Sequence, residues 1–238
     1  MYYGGLMGYY FDPTWILVII GAVLSMAASA KVNSTFNKYS KVRSMTGMTG
    51  EDAAKRLLNS QGIYDVTVRP VKGQLTDHYD PRTKTVNLSE SVFHSTSVAA
   101  IGVAADECGH AMQDNVGYVP LKLRGAIVPV ANIGSQAAFP LIIIGVLIGG
   151  MGSPLVNIGL ILFSLAVIFQ LITLPVELNA SRRAITLLDQ VGILGGQEVN
   201  QTRKVLGAAA LTYVAALAAS VLQLLRLVIL FGGRRDND

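Results

Sequence analysis

One cysteine, Cys108, is all the chain has, so an intramolecular disulfide is excluded and a reducing compartment fits. Charge is scarce as well. Asp, Glu, Lys and Arg supply 14% of the 238 residues, against roughly 25% in soluble domains. With 51% apolar residues and a mean hydropathy of +0.47, that shortage excludes an ordinary soluble domain and points to the membrane. No basic residue precedes the first apolar stretch, so the N-terminus reads as a retained anchor rather than a cleavable signal. Internal repeats and low-complexity tracts are missing too. The net charge of +4 and pI near 9.2 come with no nucleic-acid-binding motif. Lysines and arginines meeting anionic lipid head groups account for that charge, so no nucleic acid is expected as a partner.

Four apolar runs are present, at 15–30, 125–149, 154–175 and 207–231, near the roughly 20 residues that cross a bilayer. Tyr9, Tyr10 and Phe11 can supply an interfacial belt for the short first run. Apart from Arg226, Arg234 and Arg235, every lysine and arginine falls in 31–124 or 176–206. The positive-inside bias then places both segments in the cytoplasm. The last run is expected to span fully, which leaves those three arginines outside. The alternative is a run that dips into the bilayer and returns.

The fold class expected is an α-helical integral membrane protein with about four membrane segments and a small cytoplasmic α+β unit. Its divisions are an anchor at 1–30, the α+β unit at 31–124, a two-span hairpin at 125–175, a cytoplasmic helix at 176–206, and a membrane segment with a polar tail at 207–238. Thr49-Gly-Glu-Asp opens a helix carrying Ala53, Ala54, Leu57 and Leu58 on one face, with Gly62 as its stop. Residues 66–71 alternate as a strand, which Pro70 confines to a sheet edge. Residues 77–82 are turn-rich, 83–88 form a second strand, and 91–114 form one helix with His94 as a structural residue near its start.

That helix carries Asp106-Glu-Cys-Gly-His110, one residue away from H-E-x-x-H. In that signature two His at i and i+4 hold zinc, and the Glu is general base toward a water on the metal. At about 100° per residue, positions 106 and 110 lie within about 40° of each other, and Glu107 lies about 60° from His110. Cys108 points nearly opposite Asp106 and reads as a core residue. Gly109 is unfavourable by about 1 kcal/mol against Ala in a helix, so close packing is its expected reason. A catalytic zinc takes three protein ligands. Between Ser91 and Leu188 the acids are Asp106, Glu107, Asp114 and Glu177. Glu177 stands alone where an apolar run ends, and it either pairs with Arg182 or Arg183 or serves as a ligand.

Several long blocks resemble the YugP-type neutral zinc membrane metallopeptidases of bacteria. They are Met1-Tyr-Tyr-Gly-Gly, Lys31-Val-Asn-Ser-Thr-Phe-Asn-Lys-Tyr-Ser, Leu75-Thr-Asp-His-Tyr-Asp-Pro-Arg-Thr, Glu107-x-Gly-His-Ala-x-Gln, Pro129-Val-Ala-Asn-Ile-Gly-Ser and Pro175-Val-Glu-x-Asn-Ala-Ser-Arg-Arg-Ala. The resemblance implies a gluzincin-like, zincin-type unit in a multi-pass protein of the bacterial plasma (inner) membrane, with the metal site facing the cytoplasm. It further implies an endopeptidase acting on membrane or cytoplasm-exposed polypeptides. One Zn²⁺ would lie at Asp106, His110 and Glu177, with Glu107 as catalytic base.

The departure is Asp106, which stands where the family carries the first His. Its carboxylate is shorter than an imidazole coordinating through the far nitrogen, and oxygen donors favour harder metals such as Mn²⁺. A zinc loss of several kcal/mol, out of the roughly 10–16 kcal/mol of structural sites, is expected to weaken or abolish activity. For the developing oxyanion the candidates are His78, Tyr79 and Arg183, and the 83–88 strand could pair with substrate backbone. A non-catalytic pseudo-peptidase that binds or scaffolds partner membrane proteins is the alternative, favoured by Asp106. A homo-oligomer is a further candidate partner. A small transporter or channel component ranks last, because the spans carry few polar residues.

Overall fold

A computed structural model describes residues 12–232 and divides them into two units. The expected aromatic belt at Tyr9, Tyr10 and Phe11, the opening block from Met1, and Arg234 and Arg235 lie outside the described residues. Four helices are long and apolar enough to cross a membrane: α1 (Trp15–Tyr39), α5 (Val119–Gly149), α6 (Pro154–Gln190) and α7 (Gln197–Phe231). Each contains one expected apolar run and extends beyond it. At about 1.5 Å per residue, the 35 residues of α7 reach about 52 Å, longer than a hydrocarbon core of about 30 Å. It is a single helix with no return.

The first unit gathers 12–27, 126–171 and 214–232. Small residues set its helix contacts, as lipid-embedded packing requires. A Cβ on Gly134 would stand 3.0 Å from the Leu162 carbonyl oxygen, and one on Gly159 would stand 2.8 Å from that of Ala138, so α5 and α6 pack backbone to backbone. Gly21 of α1 meets Ala219 of α7 in the same way. Arg226, the one charge inside the last apolar run, donates to Asp12 Oδ2 at 3.0 Å and Thr14 Oγ1 at 3.2 Å and stacks 4.2 Å above the Trp15 ring. Its charge is neutralised within this unit.

The second unit gathers 28–125 and 172–213. Its α2 (Gly50–Ser60) begins at a capping box, in which Thr49 Oγ1 accepts from the Asp52 amide and the Asp52 carboxylate accepts from the Thr49 amide, both at 3.1 Å. Such a cap is worth about 1 kcal/mol. Gly62, at φ +69°, turns the chain away in a left-handed conformation. Three strands follow in the order β1 (Thr67–Val71), β3 (Thr85–Ser89), β2 (His78–Asp80), with β1 parallel and β2 antiparallel to β3. Pro70 sits on an edge strand, as its missing N–H demands.

Three expectations of this region are corrected. Residues 78–80 are a strand rather than a turn, because the Asp77 carboxylate accepts from the Ser89 amide at 2.7 Å and draws the segment against β3. The 83–88 strand lies in the middle of the sheet with both edges occupied, so its backbone is closed to a substrate strand. The 91–114 helix is in fact two, α3 (Glu90–Phe93) and α4 (Val98–Asn115), with His94 as the cap residue of the first. The Ser95-Thr-Ser97 hydroxyls compete for backbone groups, and Ser97 turns extended to accept from the Ala100 amide at 3.2 Å.

α4 runs through the core of this unit. Its own Val98 and Ile101 are buried among Leu57, Leu58, Val86 and Leu88, together with Ala184, Leu188, Ile193 and Leu194. Each fully buried Leu or Ile contributes about 1.5–3 kcal/mol. Cys108 belongs to this core, its Sγ 3.6 Å from the Ala54 carbonyl oxygen. Two glycines on α4 admit the long helices. A Cβ on Gly109 would lie 2.6 Å from the Ala180 carbonyl oxygen of α6, and one on Gly102 would lie 2.9 Å from Thr202 of α7. Because α6 continues through Pro175 without a break, the helix expected at 176–206 begins inside it.

Candidate metal centre

The Gly109–Ala180 contact brings Glu177 of α6 over the last turns of α4. The ligand atoms of Asp106, His110 and Glu177 all lie within 4.8 Å of one another, and His110 Nε2 stands 3.4 Å from Glu177 Oε2. Arg124, at the start of α5, donates to Glu177 Oε1 at 2.7 Å. That arginine, and not Arg182 or Arg183, is the ion-pair partner of Glu177.

Each donor is held from behind. Gln113, fully buried one turn beyond His110, donates through Nε2 to the Val176 carbonyl at 2.8 Å and to Asn179 Oδ1 at 3.0 Å. Its Oε1 therefore faces His110 Nδ1 at 3.1 Å as an acceptor, so the imidazole carries its proton on Nδ1 and turns Nε2 toward Glu177. Asp106 Oδ1 accepts from Ser181 Oγ at 2.7 Å. Glu107 makes no hydrogen bond among the described residues. With Asp106 it lines a cavity of about 260 Å³ whose other walls include Val32, Phe36, Val103, Leu206 and Tyr213.

The electrostatics follow from crowding acids in a dry place. Burial raises Glu107 to about 8 against the pull of His110, and raises Asp106 to about 6. Burial alone works against a charged His110. The Glu177 hydrogen bond and the charges of Glu107, Glu177 and Asp106 outweigh it and lift the imidazole to about 9. Near neutral pH these shifts leave the proton on Glu107 and on His110, but not on Asp106.

The family model described as "Putative neutral zinc metallopeptidase" matches residues 14–232. The chain belongs to this family. It is also 49% identical over 222 residues to "Putative membrane protease YugP" of Bacillus subtilis (strain 168), covering 93% of this chain and 98% of that protein. No solved structure matches.

The donors of this family member suit the zinc of the family's description. Zinc bonds near 2.1 Å in a tetrahedron put neighbouring ligand atoms about 3.4 Å apart. The His110–Glu177 separation has that value. One imidazole and two carboxylates are all zinc donors, and Asp106, the shortest side chain, has the remaining gap to close.

The three oxyanion candidates are engaged elsewhere. His78 bonds through Nδ1 with the Thr76 carbonyl oxygen and through Nε2 with Asn87, and Arg183 donates to Asn179 at 2.9 Å. Tyr79 donates to Asp114 at 2.8 Å, and burial followed by that carboxylate pushes its phenol upward. Tyr213 on α7, which the sequence reading passed over, faces Glu177 and the cavity instead. A lone phenol within the small-residue stretch 207–219 was the available signal. Gln113 had one too, an i, i+3 spacing from His110. Ser181 had an i, i+4 spacing from Glu177, and Arg124 had none, since it is near neither the motif nor Glu177 in sequence.

Proposed function

We propose that the chain is a membrane-embedded zinc endopeptidase whose ion is held by Asp106, His110 and Glu177. The reading is carried by the convergence of those three side chains beside Glu107, a carboxyl group that lines a cavity and has no hydrogen bond among the described residues. When bound, zinc supplies Lewis-acid polarisation of a scissile carbonyl and lowers the pKa of water toward about 7. Glu107 accepts the proton of the attacking water as the new C–O bond forms, and then gives it to the leaving amine as the peptide C–N bond breaks. In this reading Tyr213, now hydrogen-bonded to Glu177, is the donor for charge developing on the carbonyl oxygen. Val32, Phe36, Val103 and Leu206 favour an apolar substrate side chain in the cavity. Arg124 neutralises Glu177, and Gln113 keeps Nε2 of His110 free.

Of the chain's divisions at 1–30, 31–124, 125–175, 176–206 and 207–238, the second and fourth supply the three ligands and Glu107, and the last supplies Tyr213. The lysine and arginine distribution supports a site facing the cytoplasm, and the likeness to a membrane protease of Bacillus subtilis supports a bacterial plasma membrane, with membrane or cytoplasm-exposed polypeptides as the substrates. Asp106 reaches less far than an imidazole, so zinc is held weakly and turnover is low. Zinc content and casein cleavage, measured on purified protein beside Asp106→His, test this. Zinc and activity rising together in the variant support the reading. Neither protein binding metal sinks it. Metal binding in both without cleavage favours a pseudo-peptidase that holds its partner.

A further inference from the structure

Away from the metal centre, the C-terminal part of α1 and the N-terminal part of α7 enclose a groove of about 510 Å³. Its rim carries Lys31 and Lys38 from α1 and Lys204 from α7. Lys31, Ser34, Thr35 and Lys38 fall at i, i+3, i+4 and i+7, which puts them on one helix face; Lys204, Gly207, Ala208 and Leu211 do the same on α7. No carboxylate lines the groove, and none of the three lysines has a salt-bridge partner among the described residues. Thr35 and Tyr39, 9% and 6% exposed, line it with hydroxyls that have no hydrogen-bond partner among the described residues. The space beside Gly207 is open, since a Cβ there would meet nothing within 4 Å.

Sequence position sets the depth of this groove. The apolar run 15–30 ends where Lys31 begins, and the run 207–231 starts just beyond Lys204. The cationic rim therefore falls at the boundary between hydrocarbon and head groups, with Leu211 on the apolar side.

We propose that the groove binds the phosphate-bearing head group of an anionic membrane lipid. The three ammonium groups meet the phosphate as point charges, and the Thr35 and Tyr39 hydroxyls donate to its oxygens. Ala208 and Leu211 take the start of an acyl chain. A soluble phosphate shares the first set of contacts and lacks the last.

Native mass spectrometry of the full chain in neutral detergent tests this with dioleoyl phosphatidylglycerol, dioleoyl phosphatidylcholine and glycerol 3-phosphate as probes. One phosphatidylglycerol is expected to be retained in preference to the other two. Each lysine near a lipid surface is worth about fivefold in affinity, so Lys31→Gln, Lys38→Gln and Lys204→Gln combined should weaken retention by at least about tenfold. Gly207→Leu, which leaves every charge in place, should also lose it by filling the groove. The same three-charge removal at Lys41, Lys55 and Lys72 should not. Unchanged retention in Gly207→Leu, equal loss in the control variant, or equal binding of phosphatidylcholine or glycerol 3-phosphate overturns the proposal. Should the triple lysine variant fail to fold, Gly207→Leu alone decides.

Discussion

The Ala180 carbonyl oxygen of α6 occupies the place where Gly109 of the motif helix would carry a side chain, 2.6 Å from an ideal Cβ. Glu177 lies one helical turn before Ala180, so the depth of this contact sets its distance from His110. Gly109→Ala should raise helix propensity by about 1 kcal/mol, yet the overpacking penalty of about 1–3 kcal/mol acts against it. The expected outcome is a lower Tm and weaker zinc binding together. A higher Tm with unchanged zinc affinity would show that α6 does not depend on the close approach.

Glu107→Gln is expected to leave zinc affinity within about threefold and to remove at least about 100-fold of any turnover, in keeping with the loss of a general base. The Asp106→His background gives the measurable baseline. Parallel loss of zinc and turnover would make Glu107 a ligand instead.

Removing the Gln113 amide tests the support behind His110. In Gln113→Leu the Nδ1 proton loses its acceptor, and the Val176 carbonyl and Asn179 lose a donor. Support of this kind is typically worth 10–100-fold in metal affinity. Competition with a chromophoric chelator reads it directly. Affinity unchanged from the parent would show that His110 is oriented by something else.

The raised proton affinity of His110 predicts a pH dependence of opposite sign for empty and loaded protein. Its folded value, about 9, lies above the ordinary 6.5. The stability its imidazolium contributes is complete below about pH 6.5 and disappears as pH rises through about 9. Zinc needs the deprotonated ring, so zinc affinity rises across that window, by about tenfold per pH unit for one released proton. Differential scanning calorimetry with and without zinc should show the metal's contribution to Tm growing from pH 6.5 to 9. A contribution that shrinks would exclude proton competition at His110.

Arg226→Ala should strip Asp12, Thr14 and Trp15 of their shared partner. Loss of the ion pair together with the cation–π contact should lower Tm. Tm in a neutral detergent checks it, and no change would mean that lipid head groups or solvent substitute for the contact.

Local pattern alone was enough for much of this protein. Runs of about 20 apolar residues leave a backbone little choice but helix in a bilayer, so the four long helices were legible, as was the capped start at Thr49. The i, i+4 spacing of Asp106 and His110 on one helix face was legible for the same reason: helix geometry is local. Residues 78–80 went astray because strand pairing depends on a partner, here β3 and the Asp77–Ser89 bond, and not on their own composition. Glu177 beside His110, its pairing with Arg124 over Arg182 or Arg183, and Tyr213 at the cavity were decided by tertiary structure. Gly109 lets the α6 backbone close on α4 and Gly102 makes room for Thr202 of α7, and spacing along a chain carries no information about which faces of distant helices come to touch.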